Sequence, residues 1–178
     1  MASRKELMAA FGRMENERQE LLKRLEAYPE EVLTKKPDAD SWSVTDTIYH
    51  LKVAEEGALR YMLKKLEVGG HQKASVGASI KQKLLNLAVS LPIKYKAPPV
   101  AQIPEGMDIP FAQAVAEWNA VRNGLKEQYT TVDESIIVNE LFKHPAAGKL
   151  SILQSVKFMR QHMVRHIGQI ERILKAVA

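Results

Sequence analysis

Residues 151–175 read SILQSVKFMRQHMVRHIGQIERILK, and apolar residues recur in this stretch every three or four positions. That spacing places the apolar side chains on one face of an α-helix. The residues on this face are Ile152, Val156, Met159, Met163, Ile170 and Leu174. A long apolar face must be buried against other elements, so we expect the rest of the chain to supply helices that pack against it.

Three more segments have the same periodicity. They cover residues 3–27, the stretch from Ser43 to the glycine pair at 69–70, and residues 110–129. Ser43 is a favourable N-cap, and Asp46 three residues later resembles a capping box. Paired glycines are typical of the end of a helix. The sequence therefore predicts four long amphipathic helices.

The predicted fold class is all-α, a four-helix bundle with a long crossover between the second and third helices. The crossover is rich in proline before residue 110, and its residues 80–89 are expected to form a short extra helix. No internal repeat is present, and 178 residues suffice for one core. We expect a single domain over residues 1–178.

The chain contains no cysteine. Disulfides, thiolate metal ligands and a cysteine nucleophile are therefore excluded, and any thiol chemistry needs a thiol that arrives with a substrate. The N-terminal residues have no apolar core of the secretory type. No apolar run approaches the roughly 20 residues that span a bilayer. We expect a cytoplasmic protein that does not bind membranes.

Positive charge is concentrated in one segment. The formal net charge is +5, yet residues 64–96 alone hold seven lysines against the single acid Glu67. This segment could attract an anionic substrate, a membrane surface or nucleic acid, or it could be a solvated connection. Nucleic-acid binding is not expected, because neither a recognition motif nor a basic surface rich in aromatic residues is evident.

Two of the five histidines, His162 and His166, lie one turn apart in the last predicted helix. His166 lies about 35° from the centre of the apolar face and His162 about 75° from it. They are either hydrogen-bonded core residues or two ligands of a metal that requires a third. We expect His71 to be a solvated loop residue and His144 to belong to the turn before the helix.

His50, in the second predicted helix, is harder to interpret. It lies about 130° from the main apolar stripe, on a face shared with Ala54 and Gly57. A bundle helix touches two neighbours, so this second face could be buried, and small residues would leave room for a ligand. Periodicity alone does not identify His50 as a metal ligand.

Two charged residues interrupt apolar faces. Glu55 lies in the stripe of the second helix and Arg122 in that of the third. Because buried charges need partners, we predict that the two side chains pair across the bundle. The alternative is that Glu55 acts beside a metal, as a hydrogen-bond acceptor for a ligand or as a general base.

Two segments resemble the DinB superfamily, which includes YfiT-like proteins predicted to be metal-dependent hydrolases. The stretch PDADSWSVTDTIYHL, residues 37–51, is similar to the Trp-Ser start of the family's second helix with its following histidine. The stretch FKHPAAGKLSILQSVKFMRQHMVRHIGQI, residues 142–170, resembles its final motif, a His-Pro and Gly turn followed by His-x-x-x-His. The resemblance extends over nearly the whole chain, and the proline-rich middle matches least.

The resemblance implies a four-helix bundle in which three histidines hold a divalent metal ion. In this sequence they are His50, His162 and His166. It also implies a homodimer that acts on a small-molecule substrate. Imidazole ligands suit zinc, nickel or ferrous iron and do not suit calcium or magnesium.

Two enzymatic functions and one non-enzymatic function are compatible with such a site. The family contains transferases that use a low-molecular-weight thiol, so we favour a thiol-dependent S-transferase acting on small electrophiles. The first alternative is a hydrolase in which the metal lowers the pKa of bound water. The second is a metal-binding helical module without catalytic activity.

Overall fold

The four long helices predicted from the sequence are present. The structure is a computed structural model that describes residues 3–69, 108–144 and 148–178. The long helices are α1 (Arg4–Leu25), α3 (Val44–Val68), α4 (Phe111–Thr131) and α5 (Ile152–Val177). The protein is predominantly helical, as predicted. Two short helical segments, α2 (Glu30–Thr34) and a 3-10 turn (Glu134–Ile136), had not been predicted.

Side-chain caps fix where the helices that carry the histidines begin. The Ser43 hydroxyl accepts a hydrogen bond from the Asp46 amide at 3.0 Å, and the Asp46 carboxylate accepts one from the Ser43 amide at 2.9 Å. This reciprocal pair confirms the predicted capping box. Ser151 and Gln154 form the same arrangement at the start of α5. The histidines of both helices are thus placed relative to a defined first turn.

The core lies between the long helices. Helix α3 packs against α4 and α5, and α1 packs against the same two helices. Most residues of the predicted apolar faces are buried. On α5, for example, Ile152, Val156, Met159, Met163 and Ile170 are buried. Trp118 and Tyr129 of α4 are among the largest side chains that are fully buried.

A β-hairpin precedes α5, and the sequence analysis did not predict it. Strands β1 (Glu140–His144) and β2 (Gly148–Ser151) pair antiparallel, with a register shift between Glu140 and Phe142. His144 is therefore the last residue of a strand, opposite Gly148, and does not simply lie in a turn. Strands of four and five residues are too short to show a clear alternation of polar and apolar side chains.

Several expectations lie outside the described residues. They are the short helix at residues 80–89, the loop position of His71 and most of the lysine-rich segment. Gly69 ends α3 with a positive φ of 72°, as expected of a glycine at that position. In the described parts of the chain, no helix has the length and apolar composition required to cross a membrane.

Candidate metal centre

Three histidine side chains converge between α3 and α5. The Nε2 atom of His162 lies 3.0 Å from Nε2 of His166 and 3.3 Å from Nε2 of His50. One nitrogen from each ring lies within 4.8 Å of the other two, a spacing that could hold a metal ion. The structure thus brings together the three histidines named from the sequence. Within the described ranges, no aspartate or glutamate belongs to this group.

The helices determine how far each histidine is buried. His166 is 7% exposed and His162 is half-buried, which agrees with their predicted positions at the centre and flank of the α5 face. His50 is only 4% exposed although it lies far from the main stripe of α3. It is buried because α3 packs against two neighbouring helices and therefore has two inward faces.

The Trp42 ring packs against two of the histidines. Its centroid lies 4.8 Å from that of His50 at an interplanar angle of 43°, and 6.2 Å from that of His166 at 21°. Trp42 directly precedes the N-cap of α3, so the capping box places its backbone next to the first turn of that helix. An aromatic surface against the imidazoles restricts ring rotation and keeps water from one side of the group.

Gln169 determines which nitrogen of His166 is free to bind a metal. The Gln169 side-chain oxygen lies 2.9 Å from Nδ1 of His166. The amide oxygen is only an acceptor, so this contact favours the tautomer with the proton on Nδ1. The lone pair of His166 then lies on Nε2, which is the atom that faces the other two histidines.

Burial keeps His166 neutral at physiological pH. Desolvation is the main cause that lowers the pKa of His166 from 6.5 to about 3, and the charge of His50 adds to it. The hydrogen bond with Gln169 acts in the opposite direction. A metal ligand must carry a free lone pair, so a histidine that remains unprotonated is suited to bind a metal.

Two of the three nitrogen separations in the histidine group fit a first-row divalent ion. For metal–nitrogen bonds of about 2.0–2.1 Å, adjacent ligand atoms are about 3.4 Å apart in tetrahedral and about 2.9 Å apart in octahedral geometry. The two nitrogen separations of 3.0 and 3.3 Å fall in this interval. These two separations are therefore compatible with a bound metal ion.

We expect Gln169→Leu to weaken metal binding by about 10–100-fold, the range typical of residues that orient a metal ligand. Leucine has a similar size but cannot hold the Nδ1 proton of His166, so the tautomer and the ring orientation are no longer fixed. The dissociation constant for Zn²⁺, measured by competition with a chelating dye, reports the effect. The same substitution at Gln128 on α4 is the control, and equal affinities for both variants would contradict the prediction.

We expect the free energy of unfolding of the chelator-treated protein to decrease as the pH falls from about 6.5 to about 3. The pKa of His166 is about 3 in the folded protein, whereas a histidine in an unfolded chain titrates near 6.5. The unfolded chain therefore binds more protons in this interval and is favoured. Urea unfolding at several pH values should give a shallower dependence for His166→Gln, and an unchanged slope would contradict the prediction.

The predicted ion pair between Glu55 and Arg122 is confirmed. Arg122 donates from Nε and Nη2 to the two carboxylate oxygens of Glu55 at 2.5 and 2.7 Å. The indole nitrogen of Trp118 donates to the same carboxylate at 2.8 Å. Both oxygens of Glu55 are engaged by these donors, which argues against the alternative that Glu55 is a general base beside the histidines.

Two members of this buried network were missed by the sequence analysis. Glu15 accepts hydrogen bonds from Arg18 and, at 3.2 Å, from Arg122. The guanidinium groups of Arg18 and Arg122 each lie 5.1 Å from the ring of Trp118. Burial would raise the pKa of Glu15, but the two arginines hold it below its usual value. The sequence does contain a signal for the burial of Arg18, because this residue lies on the apolar stripe of α1 between Met14 and Leu21.

Comparison with known proteins agrees with the resemblance found in the two motifs. The family model of the DinB superfamily matches residues 13–170. The uncharacterized protein YuaE of Bacillus subtilis is 26% identical over 153 residues, which cover 86% of this chain and 90% of that protein. No solved structure matches the chain. The match of the family model over most of the sequence shows that this chain belongs to the DinB superfamily.

Proposed function

We propose that this protein is a divalent-metal-dependent enzyme, specifically an S-transferase that uses a small thiol to attack a small electrophile. The observation that carries the proposal is the convergence of the Nε2 atoms of His50, His162 and His166. A closed structural site for zinc normally has four protein ligands, whereas three leave a position open for an exogenous molecule. The fold we propose around it is the four-helix bundle implied by the family.

The three imidazole side chains restrict which metal ions are suitable. Three imidazoles suit zinc, nickel or ferrous iron, whereas calcium and magnesium prefer oxygen ligands. When bound, such an ion would act as a Lewis acid that makes a coordinated thiol or water more acidic. Because the chain has no cysteine, the thiol in the proposed reaction belongs to a cosubstrate.

The side chains around the histidines would have distinct tasks in this reaction. Gln169 holds the Nδ1 proton of His166, so the ligand atom stays unprotonated. Trp42 covers His50 and His166 from one side. His162 is half-buried, whereas the other two histidines are buried, so the accessible side of the group is the side of His162. We propose that the small-molecule substrate approaches there.

Among the described residues, the surroundings of the histidines favour the transferase over the hydrolase. Activation of water is assisted by a general base such as a histidine or a carboxylate. The carboxylate predicted as a candidate, Glu55, is bound by Arg122 and Trp118 instead. A thiol has a pKa of about 8.5 and loses its proton more readily than water, so its activation depends less on a protein base.

Four further expectations belong to this proposal. The protein is expected to act as a homodimer, to be cytoplasmic and to bind neither nucleic acid nor membranes. The lysine-rich segment of residues 64–96 is expected to attract an anionic thiol or electrophile. Substitution of its lysines by glutamine should then raise the KM for an anionic substrate.

Activity assays with and without thiol distinguish the candidate functions. Protein loaded with Zn²⁺ or Ni²⁺ is assayed with 1-chloro-2,4-dinitrobenzene and each of several thiols, and with p-nitrophenyl acetate in their absence. Thiol-dependent turnover that is lost in His162→Ala would support the transferase. Turnover of the ester without thiol would indicate the hydrolase. Bound metal without turnover of either substrate would contradict both assignments in favour of a non-enzymatic module.

A further inference from the structure

We propose that Arg122 is a positioning residue for the metal ligands. Its guanidinium fixes α3 and α5 relative to each other, so that His50 from α3 meets His162 and His166 from α5. Arg122 itself contributes no ligand and lies on α4, which carries none of the three histidines. The inference rests on the proposed metal-dependent function.

One side chain of Arg122 contacts all three of the other long helices. Its Nε and Nη2 atoms bind the carboxylate of Glu55 on α3 at 2.5 and 2.7 Å. Its Nη1 atom lies 3.2 Å from the carboxylate of Glu15 on α1. Its Nη2 atom also lies 3.5 Å from Sδ of Met163 on α5. Arg122 is 2% exposed, so these contacts lie inside the protein.

On both α3 and α5, the residue that contacts Arg122 lies close along the helix to the histidines. Met163 directly follows His162 and lies less than one turn before His166. Glu55 lies five residues beyond His50, or about 7.5 Å along the helix axis. A helix is stiff over this distance, so a shift of Glu55 relative to Met163 would move His50 relative to the pair on α5.

A directional contact is needed because apolar packing alone does not fix the position of one helix along its neighbour. Burial of apolar surface is non-directional, whereas a bidentate pair of arginine and carboxylate defines both distance and orientation. A metal site tolerates deviations of only about 0.2 Å in its bond lengths.

The network also holds Arg122 in place. The guanidinium groups of Arg18 and Arg122 both pack over the ring of Trp118, each 5.1 Å from the ring centroid. The indole nitrogen donates to Glu55 at 2.8 Å, and Glu15 is shared by both arginines. The side chain that bridges the helices therefore has few alternative conformations.

The test compares Arg122→Lys with a core variant of similar stability cost. Lysine keeps the positive charge but cannot bind both oxygens of Glu55 while also reaching the other two helices. The control is Met62→Ala, a buried position twelve residues along α3 from His50, or about 18 Å. Each protein is titrated with Zn²⁺ in competition with a chelating dye, at a temperature at which circular dichroism shows it to be folded. The absorption spectrum of the Co²⁺-loaded protein provides a second readout, because its d–d bands depend on coordination geometry.

We expect Arg122→Lys to bind Zn²⁺ about tenfold or more weakly than wild type, with an altered Co²⁺ spectrum. Met62→Ala should retain the affinity and spectrum of the wild type despite its lower stability. Wild-type affinity and spectrum in Arg122→Lys would overturn this inference and leave the proposed function intact. If the wild-type protein binds neither Zn²⁺ nor Co²⁺, the proposed function is overturned and the inference with it.

Discussion

Replacing Arg122 with methionine is expected to lower the free energy of unfolding by about 3–5 kcal/mol, the cost of breaking a buried ion pair from one side. The guanidinium supplies both hydrogen bonds of a bidentate contact with Glu55, which is 1% exposed. Without it, the carboxylate keeps the hydrogen bond from Trp118 but loses its opposite charge. Urea unfolding followed by circular dichroism measures the change.

The double variant Glu55→Gln/Arg122→Met should regain much of this loss. It leaves no unpaired buried charge at the pair, and the glutamine oxygen can still accept the hydrogen bond from Trp118. The matched control is Lys157→Met, since Lys157 and Glu6 form an ion pair whose side chains are 47% and 48% exposed. Its cost should stay below about 1 kcal/mol. If the double variant is less stable than Arg122→Met, the unpaired charge of Glu55 does not explain the destabilisation.

Substitution of His50 by alanine is expected to abolish stabilisation of the fold by metal. A ligand that binds only the folded state at about 100 times its dissociation constant adds about 2.7 kcal/mol to the free energy of unfolding. His50 is the member of the histidine group that α3 contributes, so its loss leaves only two histidines on a single helix. Unfolding curves with Zn²⁺ and with chelator should differ for the wild type and coincide for His50→Ala.

His71→Ala is the matched control for this experiment. It removes one imidazole from the chain and leaves the three converging histidines intact. We expect it to retain the full stabilisation by metal. Equal loss in both variants would indicate adventitious binding that does not depend on the three converging histidines, and it would contradict the proposed metal site.

The helices were predictable because each is long enough for its periodicity to be unambiguous. On α5 the same periodicity also predicted that His166 is buried and that His162 lies at the edge of the buried face. The hairpin before α5 was missed because its strands are short and their pairing is a tertiary contact. Register and bulges depend on which residues meet, and a local pattern does not contain that information.

The site was only partly predictable from the residues themselves. His50 lies outside the main stripe of α3, so its burial depends on the second neighbour of that helix, and the family resemblance was needed to name it. The pairing of Glu55 with Arg122 followed from two charges on apolar faces. Glu15 lies on the half-buried margin of α1, where a charged residue is unremarkable, so its part in the network required the structure.

The most direct test of the account is the metal content of the untagged protein, purified without chelator and measured by elemental analysis. We expect about one divalent transition-metal ion per chain in the wild type, and loss of that ion in His162→Ala. The Nε2 atom of His162 lies within 3.3 Å of the Nε2 atoms of the other two histidines, so no other substitution should disturb the group more directly. No bound metal in the wild type, even after incubation with zinc, nickel, manganese and ferrous iron, would contradict it.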